Sequence, residues 1–317
     1  MSENLSADKN INADNLTALY QKASVLSERR ILELHDIATS TAEVIFEMLS
    51  QDYGIYEALS FAAEELLFGE STPHESFMPE NAALIRSYLD LNGAFDKCAF
   101  AKLLVEALAD KGVYLKEESF FESFVREENI AFVKNQLASE AYDVFAVGFK
   151  NPHLKYAKDL RYAVKMLVNG EVGYCILPLE EEGGVRLSSV SEILFRDDLK
   201  ISSVTPVFGV LGNADMKYAL VSKAVDVPEI EDGDDRYLEI RIKKDDGGTF
   251  KDLIAASGAF GVEIYRINTI SFKTEDGDVP YYSLVFKKDA GDFLLMLLYL
   301  TLFVEDFTPI GIYKNLE

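Results

Sequence analysis

The apolar positions in the first part of the chain recur at spacings of three to five residues, as in a helix that buries one face. The longest run extends from about residue 16 to residue 49. Its apolar face comprises Leu16, Leu19, Ala23, Leu26, Ile31, Leu34, Ile37, Ala42, Ile45 and Leu49. Shorter helices are predicted near 54–68, 79–91 and 95–111. We therefore predict a helical domain over 15–125, preceded by a polar, flexible tail over 1–14.

Beyond about residue 129, short apolar runs alternate with segments of helical period. YCILP (174–178) is apolar without alternation, which is typical of a strand covered on both faces. One helix is predicted from about Lys155 to Asn169 and another over SSVSEILF (188–195). Strands that alternate with helices favour an α/β layer with at least partly parallel pairing. The pattern predicts such a domain over 129–228.

A charged stretch, DVPEIEDGDD (226–235), leads to a C-terminal unit over 236–317. Its predicted elements follow the βαββαβ order of ferredoxin-like α+β folds. The last helix, within FLLMLLYLTLFV (293–304), is apolar nearly all round, which is more than one sheet face requires. We expect it to be buried against another domain or a second subunit. The fold class is thus multidomain, with a helical bundle, an α/β layer and an α+β unit.

The net charge and the cysteine content limit the classes of partner and the cellular compartment that are expected. The chain has 317 residues and a formal net charge of −23, which disfavours nucleic acid because phosphates are bound by clustered Lys and Arg. The two cysteines, Cys98 and Cys175, form no metal motif and fit a reducing compartment. The start lacks a signal peptide's apolar core, and the most apolar run is about half the roughly 20 residues of a membrane span. We expect a soluble, cytoplasmic protein with no membrane partner.

Histidines and nucleotide-binding loops give no catalytic pattern. His35, His74 and His153 lie in separate segments and are expected on the surface or at helix ends. The chain has no Ser-His-Asp, HExxH, P-loop or CxxC pattern. GAFGVE (258–263) lacks the full dinucleotide fingerprint, so no cofactor is predicted.

An acidic run follows the strand YCILP. Glu180, Glu181 and Glu182 have the chemistry of metal ligands or of acid/base groups. No His or Asp stands at ligand spacing beside them, so a solvated acidic turn is favoured and no metal is predicted.

Two adjoining segments resemble a known arrangement. AVKMLVNGEVGYCILPLEEEGGVRLSSVSEILFRDDLKI (163–201) is similar to part of the prephenate dehydratase domain, in which a helix, a glycine and a strand lead into Pro-Ile-Glu-Asn-Ser. The unit from about 237 to 317 resembles an ACT domain, a regulatory module that commonly binds amino acids. The order, dehydratase before ACT, makes the match more specific than either piece. The resemblance implies a relative of the enzyme that makes phenylpyruvate in aromatic amino acid biosynthesis.

The catalytic motifs of that family are altered here. Pro178-Leu179-Glu180-Glu181-Glu182 replaces the neutral Asn and Ser with carboxylates, which repel dianionic prephenate. The family's Thr-Arg-Phe aligns with Met216-Lys217-Tyr218. A thioether cannot donate the proton that a hydroxyl donates, and Lys217 lacks the bidentate fork of Arg. The resemblance therefore assigns no confident catalytic residue to this chain.

Spacing is the largest departure. In the family a whole second lobe separates the two motifs, whereas Glu182 and Met216 are only about 34 residues apart here. The family's glycine-rich loop should fall within VKNQLAS (133–139), which contains no glycine. We infer that the chain keeps one lobe and lacks the other, so that no cleft can close around a substrate.

The ACT resemblance implies a ligand site and a partner. In amino-acid-binding relatives the ligand lies by the turn after the first strand and against the second strand. Here the candidates are Gly247, Gly248 and Thr249, at a helix N-terminus suited to a carboxylate, and Asn268. The alternative is that the two glycines only allow a tight turn. ACT modules often pair side by side, so a homodimer through this unit is expected.

Two enzymatic alternatives remain open. The helical block is a candidate chorismate mutase module because Arg29 and Arg30 lie on its long helix, but the next basic residue is Arg86 and the supply of cations is thin. The chain would otherwise be an active prephenate dehydratase with misaligned motifs. We favour a non-catalytic, ligand-sensing or regulatory relative that binds an amino acid or another small molecule.

Overall fold

The computed structural model describes residues 13–64, 93–122, 127–181, 184–208, 214–229, 235–244, 248–274, 277–289, 292–305 and 307–316. These residues form a mixed α/β protein with two sheets, as the sequence predicts. Within them, no helix has both the length and the apolar character needed to cross a membrane.

Among the described residues of the N-terminal block there are three α-helices and a short 3-10 helix. They are α1 (Ala13–Ser50), α2 (Ile55–Phe61), α3 (Ala94–Asp110) and the 3-10 helix Glu117–Phe120. The predicted long helix and the predicted helix 95–111 are confirmed, whereas the one at 79–91 lies outside the described residues. Leu34, Ala38 and Ile45 of α1 are fully buried, because the apolar stripe at three- and four-residue spacing faces the core.

The central layer is one sheet with helices on its faces. Its strands lie in the order β2-β1-β3-β6-β5, with the short β4 beside β3. The bounds are β1 Asn129–Val133, α4 Gln136–Ala146, β2 His153–Ala157, α5 Leu160–Val168, β3 Tyr174–Glu181, β4 Val185–Arg186, α6 Ser188–Arg196, β5 Lys200–Phe208 and β6 Ala214–Ser222. β1 pairs parallel with β2 and β3, while β6 pairs antiparallel with β3 and β5. The predicted mixture of pairing is confirmed.

The predicted helix 155–169 is wrong in its first part. The segment His153–Ala157 is β2, which pairs in register with β1 from Asn129 to Val133. The helix starts only at Leu160, because the Asp159 side chain accepts a hydrogen bond from the Tyr162 N–H at 2.7 Å and caps the first turn. Mostly exposed, the edge strand lacks the apolar run that identifies buried strands.

The C-terminal unit has the predicted βαββαβ order. Its elements are β7 Asp235–Lys243, α7 Gly248–Phe260, β8 Glu263–Thr274, β9 Gly277–Asp289, α8 Leu294–Phe303 and β10 Thr308–Lys314. The strands form an antiparallel sheet in the order β10-β7-β9-β8. Leu238 and Ile240 of β7 pack with the helices, whereas Tyr237 packs with the central layer. The sheet is therefore covered on both faces.

Helix α8 is enclosed by the helical block. Met296, Leu297 and Leu300 are at most 1% exposed, and the Phe303 ring meets Phe100 of α3 edge to face, with 6.0 Å between centroids. The surplus apolar surface predicted from the sequence is thus buried against another part of the same chain. This burial supplies a large hydrophobic stabilisation between the N-terminal and C-terminal elements.

A buried ion pair joins the same two parts. Arg236, at the start of β7, is 0% exposed, and Glu117, in the 3-10 helix, is 3% exposed. Arg236 Nη1 donates to Glu117 Oε1 at 3.0 Å, and Nη2 contacts the other carboxylate oxygen. Glu117 Oε1 also accepts from the N–H of Phe293, the N-cap residue of α8, at 2.6 Å. One carboxylate therefore neutralises a buried cation and caps a helix.

The two sheets meet at β5 and β10. The Leu316 N–H donates to the Val204 carbonyl at 2.7 Å, and Thr205 Oγ1 donates to the Leu316 carbonyl at 2.9 Å. Gly311 lies so close to Ile201 that a Cβ atom there would overlap the Ile201 backbone. Only glycine allows this approach of the two strands.

We predict that Glu117→Gln lowers the free energy of unfolding by about 3–5 kcal/mol, since it leaves the buried Arg236 charge uncompensated. The matched control is Glu118→Gln in the same 3-10 helix, because Glu118 is exposed and its loss should cost less than about 0.5 kcal/mol. Urea unfolding followed by far-UV circular dichroism measures both. Equal stabilities of the two variants would contradict this role for Glu117.

Candidate functional site

The end of β3 pairs with β6, and this pairing brings together the two segments that the sequence analysis aligned with the family's catalytic motifs. Backbone pairing places Pro178 opposite Tyr218, Glu180 opposite Lys217 and Glu181 opposite Met216, with an irregular step between Pro178 and Glu180. Glu182 lies outside the described residues. The predicted alignment positions are therefore neighbours in space, although they lie on strands about 34 residues apart in sequence.

Glu180 is not part of a solvated turn, and the sequence-based expectation is wrong for this residue. It is 5% exposed, since β3 is covered by the C-terminal sheet at this point. Its Oε1 accepts a hydrogen bond from Arg266 of β8, and its Oε2 lies 3.7 Å from Lys217 Nζ. Glu181, the next residue, is exposed as expected. Glu180 therefore bridges a cation of its own sheet and a cation of the C-terminal unit.

A second charged pair crosses the same interface, with the cation on the central layer and the carboxylate on the C-terminal sheet. Arg186 of β4 contacts Glu239 of β7, which is 2% exposed. Tyr313 Oη donates to Glu239 Oε2 at 3.1 Å, and Ser283 Oγ lies 3.3 Å from Oε1. Burial, and then the Glu239 carboxylate, raise the pKa of Tyr313 well above its usual value. The phenol therefore stays protonated and acts as a donor at neutral pH.

Aromatic rings surround a third cation on this face. The Arg241 guanidinium lies 4.3 Å from the Phe195 ring centroid and 5.7 Å from that of Tyr281. Phe195 stacks on Phe272 of β8 with 3.9 Å between centroids, which ties α6 to the C-terminal sheet. Burial lowers the pKa of Arg241. The charge is thus held by ring faces and by nearby carboxylates rather than by a direct ion pair.

A cavity of about 20 Å³ lies between these groups, lined by Arg186, Glu239, Arg241 and Ser283 among others. The Nε atoms of Arg186 and Arg241 are buried and have no hydrogen-bond partner. A space of this size holds one water molecule, which would satisfy such donors. It is too small for a substrate.

The described part of the chain contains no cluster of three His, Cys, Asp or Glu side chains that could hold a metal ion. His35 and His153 are exposed, while His74 lies outside the described residues. Both cysteines are buried thiols, and burial raises the pKa of Cys98 to about 11. A thiol with that pKa is a poor nucleophile at neutral pH. In the described residues, the two histidines and the two cysteines therefore lie apart from the Glu180 bridge.

The predicted ligand site is only partly described. Gly247 lies outside the described residues, whereas Gly248 and Thr249 begin α7. Asn268 lies in the middle of β8 and pairs with Ser283, so it shares the sheet face of Arg266 that meets the central layer. Helix α7 covers the other face. The described residues of the turn and Asn268 are therefore on opposite faces of the sheet.

The two arginines behind the mutase alternative contact acidic residues of the helical block. Arg29 Nε lies 2.9 Å from Glu33 Oε1 on α1, and Arg30 contacts Asp96 of α3. Both cations therefore have carboxylate partners within the block.

Residue patterns alone gave no sign of Arg186, Arg241 or Arg266 as interface residues. Each lies on a different element, and single cations on amphipathic strands normally face solvent. The alternation of β7, with Glu239 and Arg241 between apolar residues, is typical of a strand with one solvated face. Only the covering of that face by the central layer changes their role.

Comparison with solved structures finds prephenate dehydratase from Streptococcus mutans, which is 13% identical, with 60% of this chain and 99% of that chain covered and a TM-score of 0.47. Prephenate dehydratase in complex with L-Phe from Arthrobacter aurescens is 14% identical, covering 58% of this chain and 89% of that chain, with a TM-score of 0.42. GqqA, described as a novel type of quorum quenching acylase, is 15% identical, covering 60% and 96%, with a TM-score of 0.43. No family model matches the chain, and no curated protein matches its sequence.

We predict that Glu180→Gln lowers the free energy of unfolding by about 1.5–3 kcal/mol, because two charge-assisted contacts lose their carboxylate. The cost is below that of Glu117→Gln because Arg266 and Lys217 are 24% and 33% exposed and can be hydrated. Glu181→Gln, one residue along the same strand, is the control and should change stability by less than about 0.5 kcal/mol. Chemical denaturation measures both. A Glu180→Gln protein as stable as the control would show that the bridge contributes nothing.

Proposed function

We propose that the chain is a non-catalytic relative of the prephenate dehydratases, which binds a small molecule and acts as a ligand sensor or regulator. The observation that carries the proposal is the burial of the Glu180 carboxylate between two cations of the protein. This carboxylate stands at the strand end where the resembled family binds substrate, and it is buried between Arg266 and Lys217. Both cations are engaged with a protein carboxylate rather than facing an anionic substrate.

Two further features support the absence of dehydratase chemistry. Met216, at the position aligned with the catalytic Thr, is opposite Glu181 and has no proton to donate. β5 ends at Phe208 and β6 begins at Ala214, so that only five residues join these two antiparallel neighbours. A connection of this length has no room for a second lobe that would close a cleft.

We assign the ligand to the C-terminal unit, with two separate candidate positions: the turn with Gly247, Gly248 and Thr249, and Asn268 on the opposite face of the sheet. The support is chemical: α7 begins at Gly248, and the N–H groups of a helix N-terminus favour the carboxylate of an amino acid. Asn268 offers an amide that can donate and accept.

We also assign a homodimer to the C-terminal unit. β8 is an edge strand of 12 residues, which in the described part of the chain pairs on one side, with β9. Tyr265 and Ile267 are 46% and 45% exposed on it. A long, exposed edge with apolar side chains favours pairing with another strand, and two copies of β8 would pair antiparallel about a twofold axis.

We expect purified protein to produce no phenylpyruvate from prephenate above the uncatalysed background, with or without phenylalanine. The measurement is the absorbance of phenylpyruvate in alkali over time, with an active prephenate dehydratase as positive control. Glu180→Gln would remove the carboxylate that engages Arg266 and Lys217. It should still not produce activity, because Met216 lacks a hydroxyl. Clear turnover by the wild-type chain would overturn the proposal and favour the active dehydratase.

We expect wild-type protein to have twice the mass of one chain in size-exclusion chromatography with light scattering, and Ile267→Lys to be monomeric. A lysine on each facing edge places like charges together and keeps the edge hydrated. Ile254→Lys is the matched control, because Ile254 is equally exposed, at 47%, but lies on α7. A dimer that persists in Ile267→Lys, or is lost in Ile254→Lys, would place the interface elsewhere.

A further inference from the structure

Strand β2 forms an outer edge of the central sheet. Among the described residues it pairs on one side, with β1, and its other side is open. The strand is mostly exposed, so the backbone N–H and C=O groups of its open side are accessible. An accessible strand edge is the kind of surface to which an extended peptide adds as a further strand.

The chain around this edge is basic, in contrast to the protein as a whole. Residues 150–168 contain five Lys and Arg and one carboxylate, which gives a net charge of +4, whereas the whole chain carries −23. The one carboxylate, Asp159, accepts a hydrogen bond from the Tyr162 N–H and is thus committed to capping α5. The edge is therefore a positive surface on an acidic protein.

Two lysines stand where the parallel strands β1 and β2 end. The strands pair in register to their last residues, so Lys134 and Lys158, which follow them, leave the sheet at the same end. Both lysines are exposed. The Lys134 ammonium lies 5.0 Å from the Tyr156 ring centroid, and that of Lys158 lies 5.4 Å from the centroid of Tyr162. In the described part of the chain a ring face, rather than a carboxylate, is thus the partner of each ammonium.

The side chains of β2 differ between the two faces of the sheet. The Tyr156 ring meets Phe132 edge to face on the side covered by α4, and Leu154 shares that side by strand alternation. Tyr156 and Leu154 are both exposed. Lys155 lies on the opposite face, which α5 covers, and its ammonium donates to the neutral Glu171 carbonyl at 2.6 Å. The open edge thus has an apolar, aromatic face and a cationic face.

We propose that the β2 edge binds an extended peptide in which acidic and apolar residues alternate. The peptide pairs with the open side of β2 as an additional strand. Because successive side chains of a strand point to opposite faces, its carboxylates meet Lys155 and Lys158 while its apolar side chains pack on Leu154 and Tyr156. Nucleic acid fits this edge less well, since it has no backbone amides to pair with β2.

The surface is independent of the function and of the dimer proposed above. It lies on the central layer, on a different sheet from the turn before α7 and from the edge strand β8. An active enzyme, a monomer or an empty C-terminal unit would each leave this inference standing.

Two heptapeptides of equal composition test the alternation by fluorescence anisotropy. In one, Glu and Val alternate; in the other, the Glu and the Val residues form two blocks. We expect the alternating peptide to bind at least about tenfold more tightly, because it alone presents all its carboxylates on one face. Equal binding would overturn strand addition. No binding of the alternating peptide at millimolar concentration would show that the lysines only protect a short edge from unwanted pairing.

Backbone methylation separates strand pairing from side-chain contacts. In an extended peptide the N–H groups of alternate residues point to the same edge, so methylation of all Glu amides and methylation of all Val amides block opposite edges. We expect one of these two peptides to bind at least about tenfold more weakly than the unmethylated peptide, and the other to bind as well. Loss in both, or in neither, would contradict pairing with β2.

Variants of the protein locate the surface, with circular dichroism to confirm that each is folded. Lys158→Glu should weaken the alternating peptide at least about fivefold, since a repulsion replaces an attraction. Lys251→Glu, at an exposed lysine of α7, changes the net charge equally and should leave the affinity within about twofold. Ile267→Lys, on β8, should bind the peptide as the wild type does.

Two outcomes would assign the surface differently. Affinity that is kept in Lys158→Glu but lost in Ile267→Lys would place the peptide on β8 and overturn the β2 assignment. Tighter binding of a single-stranded oligonucleotide, likewise lost in Lys158→Glu, would make the surface a nucleic-acid site and overturn the peptide.

Discussion

The pairing of Arg236 with Glu117 is the constraint on which the rest of the architecture depends. A fully buried guanidinium needs a carboxylate, and here the carboxylate comes from a 3-10 helix 119 residues earlier in the chain. The same carboxylate meets the N-cap N–H of α8, so the apolar helix and the N-terminal block are fixed in one arrangement. The helical block therefore acts as the cover of the C-terminal sheet, whatever else it does.

On the opposite face of that sheet, charged contacts rather than apolar packing hold the central layer in place. A chain with a net charge of −23 holds Arg186, Arg241 and Arg266 between its layers, where carboxylates and rings surround them. A buried charged interface contributes less stability than an apolar one but is specific in geometry. At Glu180 a single carboxylate joins a cation of each sheet. The end of β3 is therefore fixed against the C-terminal sheet by its own side chain.

Sequence periodicity was sufficient to predict most of the helices and strands, because long helices and fully buried strands have strong hydrophobic patterns. It failed for β2, a mostly exposed edge strand whose few apolar residues were absorbed into the following helix. The alignment positions Met216 and Lys217 were found from a resemblance, and the pairing of β3 with β6 brings them beside Glu181 and Glu180. The environment of Glu180 was beyond sequence reasoning, since burial of a single carboxylate depends on Arg266, 86 residues later, reaching the same point.

The glycine contact between β10 and β5 has a consequence for motion. Since Gly311 lies against the Ile201 backbone, and Leu316 and Val204 share a hydrogen bond, the two sheets are fastened at the backbone level. Hinge bending between domains needs a boundary that few contacts cross. The C-terminal sheet therefore cannot swing as a lid over the central layer. With the Arg236–Glu117 pair fixing the helical block on the other side, the C-terminal sheet is held in place from both faces.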